Sequence, residues 1–117
     1  MGKGDQVIVK VYDYLKENNV ECYFVGQHKG ECKSKYVVLK DSGTKSLDGR
    51  VGKGYIDIIF YVPQNQYTKC ESFKKSIKEM IKDFKKIRYT GMETGIVTDD
   101  EKKALTFSMM YENYKRL

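Results

Sequence analysis

The chain has 117 residues, of which 40% are hydrophobic, and its formal net charge is +6. This length fits a single domain, residues 1–117, and excludes a second independently folded unit. The basic charge favours an acidic partner or a nucleic acid, although lysines that merely keep the surface soluble give the same balance. Arginine, whose planar fork suits phosphate, occurs only at Arg50, Arg88 and Arg116, which argues against a dedicated phosphate reader.

The chain carries three cysteines, and this odd number argues against a disulfide framework and for a reducing compartment. Near the N-terminus the apolar residues are interrupted by charges. That pattern predicts neither a signal peptide nor a membrane span. We therefore expect an intracellular protein with no membrane partner.

The first predicted elements are a helix over residues 6–18, with Asp5 as its N-cap, and strands over 20–25 and 32–40. The apolar residues of the helix share one face: Val7, Ile8, Val11, Tyr14 and Leu15. A polar, glycine-rich stretch over 41–54 predicts a long loop between strands. The strongest strand signal follows, at 55–62, and Pro63 ends it.

The second half predicts a helix over 70–86, an extended glycine-broken segment over 87–98, a turn at 99–103 and a strand over 105–114. The core stripe of the helix is Phe73, Ile77, Met80, Ile81 and Phe84. The other faces of the helix form a basic face: Lys74, Lys75, Lys78, Lys82, Lys85 and Lys86. The buried side of the last strand is Leu105, Phe107, Met109 and Tyr111.

The element order α-β-β-β-α-β predicts an α+β fold in which two helices pack on one face of an antiparallel sheet. Its other face would carry Thr106, Ser108 and Met110 of the last strand. That face, or the sheet edge, would then remain free for a neighbouring copy.

Candidate reactive groups are few. Cys22 and Cys32 would face each other across a hairpin centred near residue 27, but the spacing of Cys22, His28 and Cys32 is not a usual zinc pattern. A Cys–His nucleophile needs a base oriented by a third group, and His28 is expected on an exposed turn. The carboxylates at 99–101 could bind a cation as a cluster, but adjacent carboxylates in a turn are far more often solvated. The glycines at 49–54 lack phosphate-loop spacing. We therefore expect no catalytic residue, metal or cofactor.

Three stretches resemble the tail terminator or tail-to-head joining family of long-tailed phages and contractile tail bacteriocins. The first is the middle hairpin with its glycine-rich stretch, KYVVLKDSGTKSLDGRVGKGYIDIIFYVP. The second is the helix CESFKKSIKEMIKDFKK. The third is the acidic turn and last strand, TGIVTDDEKKALTFSMMYENYKR.

The resemblance implies a structural part, not an enzyme. The implied assembly is a ring, usually a homohexamer, that sits on the last tail-tube ring and stops tube growth. Its partners would be other copies of the chain, the tail tube protein, a sheath or head connector protein, and DNA in the lumen. The implied location is the bacterial host cytoplasm during assembly and then the virion or tail particle.

Two sets of residues are candidates for contacts in such a ring. The interface hypothesis takes residues from the predicted loop and the last strand: Gly43, Lys45, Asp48, Gly49, Arg50, Lys53, Thr106, Ser108 and Met110. The basic face is the second set, which would meet DNA or an acidic subunit unless it is simply solvated.

Two other functions remain open. The α-β-β-β-α order and basic charge are also typical of double-stranded-RNA-binding domains, although Glu71 dilutes the start of the second helix and a further strand follows it. The third hypothesis is a small enzyme or an immunity-type regulator. Against it, the sequence shows no acid, base and nucleophile that converge.

Overall fold

The computed structural model describes the backbone of residues 6–116 and the side chains of residues 6–114. The helices in this range are α1, Val7–Glu17, and α2, Cys70–Lys82, with a 3-10 turn at Tyr67–Lys69. The strands are β1 Cys22–Phe24, β2 Tyr36–Ser46, β3 Val51–Pro63, β4 Arg88–Glu93, β5 Val97–Asp99 and β6 Ala104–Arg116. The predicted N-cap, Asp5, lies outside the described residues.

The strands form one sheet in the order β1-β2-β3-β6-β4, and β5 also pairs with β6. β3 and β6 run antiparallel along their full length, from Val51 opposite Arg116 to Pro63 opposite Ala104. The α+β class and the order of elements are therefore confirmed, and the segment 87–98 forms two short strands. The expectation of a purely antiparallel sheet is wrong in one place, because β1 runs parallel to β2.

The parallel pair arises because the connection after β1 crosses the sheet before β2 begins. Along this connection the amide of Cys32 donates a 2.7 Å hydrogen bond to the carbonyl of Lys102. The His28 ring stacks on Tyr36 with centroids 4.1 Å apart, so His28 is half-buried and not on an exposed turn. The predicted hairpin centred near residue 27 is therefore wrong, although a local turn follows β1. The two cysteines do not face each other: Cys22 joins the main core and Cys32 a second cluster with Tyr36.

Both helices pack on the same face of the sheet, as predicted. The hydroxyl of Tyr14 in α1 donates a 2.7 Å hydrogen bond to the carbonyl of Met80 in α2, which ties the helices together. The predicted stripe of α2 is buried or half-buried in the core, and so is the predicted side of β6. The main core thus lies between one sheet face and two amphipathic helices.

Helix α2 is shorter than its apolar spacing predicts, since it ends at Lys82 and not at residue 86. The amide of Phe84 donates to the carbonyl of Ile81 at 2.8 Å, a bond that tightens the last turn. The Phe84 ring still packs on Tyr14, with centroids 4.8 Å apart. An irregular turn can therefore continue the apolar stripe after the helix has ended.

The predicted loop at 41–54 is wrong, because β2 and β3 remain paired almost to their tips. Only residues 47–50 form the turn. The register shifts between Asp41 and Thr44, where Gly43 has φ +96 and the strand gains an extra residue. The polar and glycine-rich composition marks a bulge and a tight turn within a hairpin.

Candidate assembly surface

One part of the sheet extends beyond the helices, and we call it the arm. The arm consists of residues 41–46 of β2, the turn 47–50, residues 51–55 of β3 and residues 112–116 of β6. β2 is exposed at every position from residue 40 to residue 46, so neither helix covers it. The molecule is correspondingly elongated, with extents of 47 × 27 × 26 Å.

The tip of the arm has a defined geometry built by its own polar groups. The carboxylate of Asp48 accepts hydrogen bonds from the amides of Arg50, at 3.0 Å, and Val51, at 2.9 Å. These backbone hydrogen bonds lower the pKa of Asp48. Gly49, with φ +84, supplies the left-handed residue that this turn requires.

The arm exposes apolar side chains that the sequence analysis did not single out. Leu47 is 50% exposed, Val51 38% and Tyr114 56%. Contiguous exposed apolar groups mark contact sites in soluble proteins. Leu47 and Val51 flank the turn residues in SLDGRV, and apolar residues on both sides of a polar turn were the available signal.

The arm also carries strand edges. β1 pairs with β2 only as far as Leu39, and no described strand lies beyond that point on the outer side of β2. On the opposite side, β4 pairs with β6 no further along the chain than Glu112. An edge with free backbone groups is a template on which another chain can add a strand.

The root of the arm is fixed by charges. Glu112 accepts from Arg88 at 3.1 Å and lies 3.6 Å from Lys53. Arg88 also donates to the hydroxyl of Tyr114 at 3.3 Å. Lys53, one of the predicted interface residues, is therefore part of an ion network that links β3, β4 and β6.

The structure divides the predicted interface residues between two places. Six of them lie on the arm: Gly43, Lys45, Asp48, Gly49, Arg50 and Lys53. Thr106, Ser108 and Met110 lie on the face of β6 opposite the helices, and each is half-buried. On this face Met110 pairs with Asp57 and Ser108 with Ile59. The predicted interface is thus a tip and a sheet face, not one continuous patch.

The basic face also divides into two parts. Lys74 and Lys78 converge on Glu93, with N–O distances of 2.9 and 3.2 Å. Lys74 additionally contacts Glu71 at 3.3 Å. The remaining members have no carboxylate partner among the described residues: Lys75, Lys82, Lys85 and Lys86. Uncompensated positive charge is thus concentrated on part of the predicted face.

The two paired lysines of the basic face meet at the carboxylate of Glu93. The hydroxyl of Tyr89 donates a short hydrogen bond to its carboxylate, and Lys74 and Lys78 add two more. These three donors lower the pKa of Glu93 to about 2, and the hydrogen bond from Tyr89 contributes most. The same contacts raise the pKa of Lys74. Glu93 holds β4 against α2 and so anchors the edge of the sheet.

The groups considered for chemistry are dispersed. Cys22, Cys32 and Cys70 are buried free thiols, and burial raises the pKa of Cys32 to about 11. Within the described residues, no three His, Cys, Asp or Glu side chains are grouped so as to hold a metal ion. Among these residues, neither helix has the length and apolar character needed to cross a membrane.

Comparison of the chain with known protein families gives no match, and comparison with curated proteins gives none either.

Proposed function

We propose that this chain is a structural subunit of a ring that caps the end of a phage tail tube or a phage-like bacteriocin tail tube. The observation that carries the proposal is the arm, which combines strand edges with exposed Leu47, Val51 and Tyr114. The resemblance of the middle hairpin, α2 and the last strand to tail terminators supports it. The location and the partners implied by that resemblance are part of the proposal.

The physical logic is that of a growing polymer. A tube of stacked rings keeps adding subunits because each end matches the next ring, so a cap must match the tube on one side only. In this proposal the arm reaches the last tube ring and pairs with it by strand edge and apolar contact. The side of the ring that faces away from the tube does not match it, so growth stops.

The test is a tube-growth assay. Purified tail tube protein from the same locus is polymerised with and without this chain, and tube lengths are measured by negative-stain electron microscopy. We expect shorter tubes with extra density at one end, and a length that falls as the chain is added. Tubes of unchanged length without end density would contradict the proposal.

Nucleic-acid binding is the second candidate, favoured by the four lysines of the basic face that lack a carboxylate partner. If those four contact phosphates, log K should fall with log salt at a slope of about −4. Fluorescence anisotropy with duplex RNA and duplex DNA at several salt concentrations measures this slope. Lys82→Glu with Lys85→Glu should then weaken binding, whereas a flat salt dependence would exclude the candidate.

A further inference from the structure

A pocket of about 460 Å³ lies between the end of α2 and the start of β4. Its wall is apolar and aromatic, formed by Ile81, Phe84, Ile87, Tyr89 and Tyr111. Tyr111 is only 2% exposed, and its hydroxyl has no hydrogen-bond partner in the described residues. Because an unpaired buried hydroxyl costs free energy, a peptide segment, whose backbone carbonyls are acceptors, is favoured as the occupant.

The rim of this pocket is basic. Lys78 and Arg88 are already paired with Glu93 and Glu112. Lys82 and Lys85 also line the pocket and have no carboxylate partner among the described residues. The lining has one acid, Glu79, so the occupant that fits is apolar in the centre and acidic around it.

A segment with this character lies at the other end of the sheet. Val97 in β5 is 60% exposed, and the turn that follows carries Asp100 and Glu101. Both carboxylates are exposed, and neither forms an ion pair within the described residues. β5 ends opposite Ala104, seven residues along β6 from Tyr111, which corresponds to about 24 Å.

Two other exposed apolar side chains, Leu47 and Tyr67, lack this acidic setting. Leu47 precedes Asp48, but that carboxylate already accepts hydrogen bonds from two backbone amides, and Lys45 and Arg50 would bring like charges against the rim. Tyr67 precedes Lys69 on the 3-10 turn. The segment 97–101 thus complements the pocket better than either of these sites.

We propose that the pocket of one copy receives the segment 97–101 of the next copy, with Val97 against the apolar wall and Asp100 and Glu101 against Lys82 and Lys85. The two surfaces differ and lie apart on the molecule, so the contact is head-to-tail. Head-to-tail contacts close into a ring when the rotation between copies allows it. This inference rests on the proposed ring and assigns the contact that builds it.

Charge reversal tests the contact. Lys82→Glu with Lys85→Glu reverses the rim, and Asp100→Lys with Glu101→Lys reverses the turn. We expect each double variant alone to lose the ring in light scattering. An equal mixture should recover it, because each reversed surface then meets a complementary one in alternating copies. The matched control is Lys69→Glu with Lys75→Glu, which makes the same charge change on exposed residues outside the pocket lining.

The outcomes separate this inference from the proposed function. A wild-type chain that forms no ring overturns both. A wild-type ring that survives reversal of the rim leaves the ring standing and overturns the pocket contact. Loss of the ring on reversal of the rim, but not on reversal of the turn, shows that a different segment fills the pocket. Circular dichroism of each variant confirms that the fold is retained.

Discussion

The same strands, β3 and β6, behave differently in the two halves of this molecule. In the body they are covered by both helices, and Phe60 is fully buried between Phe107, at 4.7 Å, and Phe73, at 5.2 Å between ring centroids. In the arm they continue with unbroken pairing, but the positions of β3 that continue the Phe60 side are Gly52 and Gly54, which bring no side chain to a core. The comparison teaches that packing stabilises the body, whereas strand pairing and ion pairs order the arm.

The proposed ring needs subunits that are stable before they assemble, and this division agrees with that need. The body has a core of its own, so it does not need a neighbour to fold. The arm keeps its shape through Glu112 and the hydrogen bonds of Asp48 while its edges stay open. A surface that is ordered before binding loses less conformational entropy when a partner arrives.

The largest expected effect is on the body. Phe60→Ala removes the ring at the centre of the core and should cost about 3–5 kcal/mol of unfolding free energy. Tyr55→Ala removes a ring from the same strand, but in the arm and on the sheet face away from the helices, and it should cost well under half of that. Urea unfolding followed by circular dichroism measures both, and equal losses would contradict the division.

A smaller effect is expected at the edge of the body. Glu93→Gln removes the charge that Lys74 and Lys78 share, and it should lower stability at pH 7 by about 1 kcal/mol. Glu112→Gln, at the root of the arm, is the comparison variant. Urea midpoints at low and high salt measure both, and a salt-independent loss would argue against an ionic cause.

The pH dependence of stability gives a second test of the ion pairs of Glu93. Because the folded pKa of Glu93 is about 2 and its ordinary value is 4.5, its contribution is fully present above pH 4.5 and is lost as pH falls toward 2. The stability difference between wild type and Glu93→Gln should therefore shrink over that range. A difference that stays constant from pH 7 to pH 2 would contradict this assignment.

The smallest effect on stability is expected at the arm tip. Leu47→Ser should change the unfolding free energy by no more than about 0.5 kcal/mol, since half of the side chain is already exposed. It should nevertheless weaken capping in the tube-growth assay. Tyr67→Ser, on an exposed residue outside the arm, is the control and should leave capping unchanged.

Sequence patterns predicted the body better than the arm. The apolar spacing of α2 and the alternation of β6 report burial against a large core, and burial is what such patterns encode. The arm has no core, so its strands carry polar and glycine residues typical of loops. Yet Gly52 and Gly54 lie at every second position before Ile56, and all three are buried. This period of two was the sequence signal for a longer strand.

The parallel pairing of β1 and the pocket escape sequence reasoning for a different reason. Both depend on residues far apart in the chain: the amide of Cys32 donates to the carbonyl of Lys102, and Phe84 and Tyr111 line the same pocket. The short connection after β1 favoured an antiparallel turn by local rules. Burial of Tyr36 on the second face of the sheet overrides that local preference.

The most direct test of the proposed ring is the solution mass of the purified wild-type chain, measured by multi-angle light scattering and imaged by negative stain. The account predicts a closed ring of several copies, with six expected from the family resemblance. A chain that stays a 13.6 kDa monomer at high concentration, and also in the presence of tube protein, would contradict it.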